Sequence, residues 1–104
     1  MEKNKSINIM KKFKEKISGK LNVDKVLLFG SRSKGLEKEN SDFDMVIVSQ
    51  DFKDKKSFKR SPELYFMWDY SYDADIICLT SRELEEKSKE IGIIQEAIKE
   101  GIEI

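Results

Sequence analysis

The chain has 104 residues with 20 basic and 20 acidic side chains, and this length predicts a single domain over residues 1–104. It contains no histidine and one cysteine, which excludes Ser-His-Asp and Cys-His catalysis, a histidine-bound zinc site and an internal disulfide. The remaining metal ligands are oxygens, which favour Mg²⁺ or Mn²⁺.

The charge sums to zero but is unevenly distributed. Residues 1–60 hold 16 basic and 9 acidic side chains, a net +7, whereas residues 61–104 hold 4 and 11, a net −7. The basic half could steer an anionic substrate, although neutralisation of one half by the other explains the pattern equally well. We expect no direct nucleic-acid binding. The sequence has no membrane-length apolar stretch and no signal-peptide core, so we expect a cytoplasmic protein.

The first half of the chain predicts one helix and two strands. Apolar side chains at three- and four-residue steps predict a helix over residues 7–21. Two apolar runs predict covered strands, Lys25–Phe29 and Phe43–Ser49. Between them we expect a short helical turn over residues 31–36, and then a polar loop over residues 37–41.

The second half begins with residues 50–60, which lack a clear period and predict an exposed connection. Ser61 and Pro62 predict a helix start, with serine as the N-cap and proline at the first helical position. We expect this helix to end near Tyr70. A third strand is predicted over Ala74–Leu79.

The last quarter of the chain predicts helix and a final strand. Thr80 to Glu83 fits a capping box that opens a helix. Gly92 predicts a weak point or a boundary between two helical pieces, and Gly101 a C-terminal cap. Residues 102–104 predict a short edge strand. The alternation of helices and strands indicates an α/β domain, without fixing which strands are parallel.

Carboxylates stand at the start of two predicted strands. Asp42 and Asp44 point to one face, because a strand alternates faces with period two, and they repel each other unless a cation lies between them. Asp75 faces the same site if the second and third strands are neighbours, and Asp73 is a rival because it shares that face. Three clustered aspartates would form a two-metal site, where Asp75 either holds a metal or accepts the proton of an attacking hydroxyl.

The turn at Gly30 and Ser31 offers backbone N–H groups and a hydroxyl to anionic oxygens such as those of phosphate. Arg32 and Lys34 follow closely enough to add charge-assisted hydrogen bonds. Each signal alone has a structural explanation, since Gly-Ser turns and aspartates at strand starts are common. Together they favour a site for a metal–nucleotide complex.

Four stretches carry a family resemblance: residues 28–35, 41–47, 75–80 and 96–102. The first resembles a hydrophobic-Gly-Ser-Arg-small-Arg/Lys-Gly pattern, and the second a Ser-Asp-hydrophobic-Asp strand. The third is similar to a strand that begins with a third carboxylate, and the fourth to the tail of short members. These patterns are those of the nucleotidyltransferase superfamily related to DNA polymerase beta, and the chain resembles its minimal nucleotidyltransferase branch. Phe43 stands where Ile or Leu is more usual.

The resemblance implies an α/β (α+β) nucleotidyltransferase fold, with a small mixed sheet of three to four strands covered by helices. It implies AMP transfer from ATP with Mg²⁺ as cofactor and release of pyrophosphate. It implies Gly30 and Ser31 as phosphate contacts, Asp42 and Asp44 as metal ligands, and Asp75 as the third catalytic carboxylate. In the toxin–antitoxin branch, the acceptor is a tyrosine hydroxyl of a HEPN-domain partner, and AMPylation neutralises that toxin.

Two other functions remain open from the sequence. One is a nucleotide-binding module that inhibits a partner by contact, and the other is a transferase acting on a small hydroxylated molecule. The complete set of aspartates favours an enzyme, since contact inhibition does not require them. We expect the acceptor to come from another protein, in a hetero-oligomer, or from a small molecule held at an interface.

Overall fold

The computed structural model describes residues 3–35 and 41–104. Within them, four strands form one mixed sheet in the order β3-β2-β1-β4. The strands are β1 (Lys25–Phe29), β2 (Phe43–Val48), β3 (Ala74–Leu79) and β4 (Ile102–Glu103). β1 is antiparallel to both β2 and β4, whereas β2 and β3 are parallel. The predicted fold class is confirmed, and the pairing directions are now known.

Helices cover both faces of the sheet. They are α1 (Lys3–Ile17), α2 (Ser31–Lys34), α3 (Ser57–Arg60), α4 (Pro62–Met67), α5 (Ser81–Ser88) and α6 (Ile93–Glu100), with one turn of 3₁₀ helix at Gln50–Phe52. In the part of the chain that the structure describes, no helix has the length and apolarity needed to cross a membrane.

The apolar strand β1 contributes to two separate clusters because its side chains alternate between the faces. Val26 and Leu28 are buried against the face that packs α1 and α4, together with Phe13. Leu27 and Phe29 are buried on the other face, which packs α6. A strand covered on both faces is expected to be apolar throughout, which explains the continuous run seen in the sequence.

The connection over residues 50–60 is largely exposed, as predicted, but it contains secondary structure and two buried side chains that were not predicted. This segment holds the 3₁₀ turn and α3, and Phe52 and Arg60 are buried. Arg60 donates hydrogen bonds to the carbonyls of Lys55 and Cys78, and it forms an ion pair with Glu83 at 2.6 Å. Only two side chains of the segment turn inward, so no helical period was visible in the sequence.

Several helix ends differ from the predicted ones. α1 starts at Lys3 and ends at Ile17, whose carbonyl accepts bonds from two following N–H groups in a tight turn. α4 ends at Met67, because Trp68 adopts an extended conformation and its indole N–H donates to the Tyr72 carbonyl at 2.6 Å. Ser61 has helical dihedral angles and makes no side-chain cap, so that part of the prediction is wrong.

Other local predictions are confirmed. Thr80 and Glu83 form both bonds of a capping box at the start of α5, and Gly92 separates α5 from α6. Gly101 ends α6 in an extended rather than a left-handed conformation. A side chain there would overlap the carbonyl oxygen of Ala97, which explains the glycine. Of the predicted polar loop, residues 37–40 lie outside the described part of the chain.

Candidate active site

Three strands bring the predicted site together at one end of the sheet. β1 ends at Phe29, which pairs with Asp44 near the start of β2. Asp44 in turn pairs with Asp75 near the start of β3. Since Gly30 directly follows Phe29, the glycine turn and the two aspartates lie side by side across three strands. Asp42 directly precedes β2, two residues before Asp44, and it is exposed.

Gly30 has a conformation that favours glycine, with φ 73° and ψ −160°. A Cβ atom built at this position would overlap the carboxylate oxygen Oδ2 of Asp44. The Gly30 carbonyl accepts bonds from both the backbone N–H of Ser33, at 3.1 Å, and its hydroxyl, at 2.7 Å. The turn is therefore fixed, and it places bare backbone against one of the carboxylates.

Asp44 is the aspartate whose titration is most perturbed. Its pKa is raised to about 6, first because the carboxyl is half-buried, and then because the charges of Asp75 and Asp42 lie nearby and Asp75 shares a hydrogen bond with it. Crowded carboxylates of this kind favour a proton or a metal cation between them. Asp75 is the direct register partner of Asp44, whereas Asp73 precedes the strand, so the geometry favours Asp75 over its rival.

The donor set suits a hard divalent cation, since it consists of carboxylate oxygens placed beside one another at the surface. In residues 3–35 and 41–104, however, no three acidic or cysteine side chains stand close enough to hold a metal ion as they are. The paired Asp44 and Asp75 would form the core of such a site, with the exposed Asp42 two residues before Asp44. The aspartates therefore suit a divalent cation by the chemistry of their oxygen atoms and by their place in the fold.

Ser31 opens α2 immediately after Gly30 and is partly exposed. Lys34, at the other end of α2, forms an ion pair with Glu100 of α6 at 2.8 Å. The hydrogen bond that Lys34 donates to Glu100 raises the pKa of Lys34. The predicted role of Lys34 in nucleotide binding receives no support from this geometry, because its ammonium group is already paired with another helix.

Arg32 departs most from its prediction, which was a hydrogen bond to a phosphate. Its side chain is fully buried, and it donates hydrogen bonds to the carbonyl of Ser41 and the hydroxyl of Ser6. The guanidinium also lies over the rings of Phe43 and Tyr72. Direct contact with a phosphate is incompatible with this position. Sequence reasoning missed the aromatic rings around Arg32, which are brought together only by the pairing of β2 with β3.

The larger clefts among the described residues lie elsewhere. Two of them, of about 570 and 740 Å³, open at the opposite end of the sheet, where β1 begins and β2 and β3 end. Asp24 lines both, and neither is lined by a residue of the predicted site. We locate the candidate active site from the chemistry of the aspartates rather than from the depth of a cavity.

A known family matches most of the chain. The family model described as "Nucleotidyltransferase domain" matches residues 9–104. The chain belongs to this family. The match covers the Gly-Ser turn and all three aspartates, so this nucleotidyltransferase domain contains the complete predicted site within the matched region.

The fold is also that of a solved relative. A crystal structure at 1.40 Å of a protein from Sulfolobus solfataricus, assigned as a nucleotidyltransferase, superposes with a TM-score of 0.70. The two share 20% sequence identity, and the alignment covers 97% of this chain and 80% of the other. At this identity, the likeness shows the fold alone. A comparison with curated protein sequences found no significant match.

Proposed function

We propose that this nucleotidyltransferase domain moves a nucleoside monophosphate from a nucleoside triphosphate to a hydroxyl acceptor, with a divalent metal ion. The observation that supports this most is the direct pairing of Asp44 with Asp75 beside Gly30. Paired carboxylates next to exposed backbone provide what a metal–triphosphate complex needs: anionic ligands for the cation and N–H donors for the phosphates. We further propose ATP as the donor and Mg²⁺ as the metal.

Each residue then has a definite task. Asp42 and Asp44 would hold the metal ion, which when bound neutralises the triphosphate and lowers the pKa of the acceptor hydroxyl. Gly30 and Ser31 would bind phosphate oxygens. Asp75 would take the hydroxyl proton or hold a second cation. The acceptor oxygen forms a bond to the α-phosphorus, the bond from that phosphorus to the bridging oxygen breaks, and pyrophosphate leaves with the electron pair.

For the acceptor, we propose a tyrosine hydroxyl of a HEPN-domain partner, which is the acceptor that the branch resemblance implies. An open site supports a macromolecular acceptor, since Asp42 and Asp75 are both exposed. Two aromatic side chains next to β3 offer a contact surface: Tyr65, whose hydroxyl meets the N–H of Ile76, and Phe66, which is 91% exposed. Exposed aromatic side chains are common at the centres of protein interfaces.

The test uses ATP labelled on the α-phosphate, with purified protein, Mg²⁺ or Mn²⁺, and a HEPN-domain protein as acceptor. We expect covalent label on the acceptor, and its loss in Asp44→Asn and Asp75→Asn. Asp73→Asn is the matched control, because it removes the same charge two residues away and should retain transfer. Absence of label with every nucleoside triphosphate and acceptor, despite metal binding, would contradict the proposal.

A further inference from the structure

Arg32 is the largest fully buried side chain among the described residues, and it lies directly beneath the start of β2. Its Nε and Nη2 groups both donate to the carbonyl oxygen of Ser41, with Nε at 2.8 Å. Its Nη1 group donates to the hydroxyl of Ser6 on α1 at 3.2 Å. Ser41 immediately precedes Asp42, so two bonds of the guanidinium hold the backbone next to the first aspartate.

The two rings that contact the guanidinium connect it to the other aspartates. The Cζ atom of Arg32 lies 4.0 Å from the ring centre of Phe43 and 4.7 Å from that of Tyr72. Phe43 stands between Asp42 and Asp44, and Tyr72 lies three residues before Asp75. Arg32 therefore contacts both segments of the chain that carry the carboxylates.

A third aromatic residue keeps Tyr72 in place. Trp68 packs against Phe43, with ring centres 5.2 Å apart, and its indole N–H donates to the Tyr72 carbonyl. Phe43 and Tyr72 also contact each other, at 5.4 Å between ring centres. The start of β2 and the approach to β3 are thus joined around one cation.

We propose that Arg32 is a positioning residue, which sets the spacing of the Asp42, Asp44 and Asp75 carboxylates and so the affinity of the site for a divalent cation. This inference rests on the proposed function, and it gives Arg32 a task that does not involve contact with the nucleotide. Groups that orient metal ligands commonly change metal affinity by about 10–100-fold when they are substituted.

The geometry requires arginine rather than any cation. A planar guanidinium gives two N–H groups to one carbonyl while it also contacts aromatic rings, whereas a lysine ammonium is a compact point charge on a flexible stem. Arg32→Lys therefore keeps the charge and removes the positioning. Arg82→Lys is the matched control, since Arg82 is exposed and, within the described part of the chain, forms an ion pair only with Glu86.

The experiment measures Mn²⁺ binding by the nucleotide-free, full-length protein, by calorimetric titration, with circular dichroism to verify that each variant is folded. We expect Arg32→Lys to bind Mn²⁺ about tenfold more weakly than the wild type, and Arg82→Lys to bind equally well. In the transfer assay, we expect a lower kcat at saturating metal with an unchanged KM for the nucleotide.

Mn²⁺ affinity equal to the wild type in folded Arg32→Lys would overturn the proposal, and so would a raised nucleotide KM without a change in metal affinity. If Arg32→Lys does not fold, the Ser6→Ala variant tests the proposal instead. It removes one hydrogen bond to the guanidinium and should weaken Mn²⁺ binding by about threefold, and wild-type affinity would overturn the proposal. If the wild-type protein binds Mn²⁺ but transfers no nucleotide, the proposed function fails while this inference stands.

Discussion

Asp44 and Asp75 face each other across the parallel strands β2 and β3, each at the second position of its strand. This register places two like charges on neighbouring backbones where one of them, Asp44, is half-buried. Burial and the neighbouring charges both disfavour ionisation, so the metal-free arrangement stores unfavourable electrostatic energy. A bound cation would remove it, and this links the stability of the protein to the occupancy of the site.

The first prediction concerns metal and stability. Mg²⁺ or Mn²⁺ should raise the melting temperature of the wild type relative to EDTA, because a ligand that binds only the native state stabilises it. At a metal concentration ten times the dissociation constant, the gain is about 1.4 kcal/mol. Thermal unfolding followed by circular dichroism measures it. Equal melting temperatures in EDTA and excess metal would argue against a metal site, and an equal gain in Asp44→Asn would indicate binding elsewhere.

The second prediction is that Asp44→Asn stabilises the metal-free protein at pH 8. The pKa of Asp44 is raised from 3.8 to about 6, so the native state holds its proton more tightly than the unfolded state does. Ionisation of Asp44 therefore lowers the stability of the native state as the pH rises from about 4 to about 6. Above this range the loss is roughly 1 kcal/mol, after allowance for solvent screening of a half-exposed group. The wild type regains this as the pH falls from 6 to 4.

Chemical denaturation in EDTA at pH 8, 6 and 4 measures this difference. We expect Asp44→Asn to be more stable than the wild type at pH 8 and the two proteins to converge at pH 4. Asp51→Asn, at an exposed aspartate outside the site, is the comparison for loss of one charge. If Asp44→Asn were less stable than the wild type at pH 8, ionised Asp44 would not be electrostatically unfavourable in the native state.

The third prediction concerns Gly30. Gly30→Ala forces a side chain into a left-handed conformation and against the Asp44 carboxylate, so we expect a loss of about 1–3 kcal/mol in stability. Metal-dependent transfer should fall by at least about tenfold, because Asp44 must move. Gly92→Ala is the control, since its backbone is extended and a Cβ there meets nothing within 4 Å. Equal effects of the two substitutions would contradict the account of this turn.

The fourth prediction concerns the buried arginine of the connection between β2 and β3. Arg60→Met keeps the aliphatic stem but leaves two carbonyls and Glu83 without their donor, and we expect about 2–3 kcal/mol of destabilisation. Arg82→Met breaks an exposed pair with Glu86 and should cost less than about 0.5 kcal/mol.

Urea denaturation compares the two arginine variants. Arg60 hydrogen-bonds Glu83 and lowers its pKa, so this pair stabilises the fold above the ordinary glutamate pKa and loses its effect as the pH falls through the lowered value. The difference between wild type and Arg60→Met should therefore shrink on acidification. Similar stabilities of Arg60→Met and Arg82→Met at pH 7 would show that burial adds nothing to the Arg60 interactions.

Local sequence patterns predicted much of the fold. The strand Lys25–Phe29 and the strand Ala74–Leu79 have the predicted bounds, because each is a short apolar run ended by polar residues. The capping box at Thr80 and the boundary at Gly92 are likewise local signals. The pairing directions could not be predicted, since they depend on how connections cross the sheet rather than on any one stretch.

The site was predictable to the extent that it follows strand alternation. The chain positions of Asp42, Asp44 and Asp75 indicated a shared face, and the pairing of β2 with β3 supplies the contact that the prediction required. Arg32 was misread because a basic side chain next to a phosphate-binding turn is ordinarily exposed. Its burial depends on rings from Phe43 and Tyr72, which are distant in sequence.

The outer side of β3 is closed by side chains. The Tyr65 hydroxyl accepts from the N–H of Ile76, and Arg60 donates to the carbonyl of Cys78, so two main-chain groups that a further strand would need are already bonded. An edge protected in this way resists strand addition by another chain. Growth of the sheet through β3, and with it one route to aggregation, would first require these two side chains to be displaced.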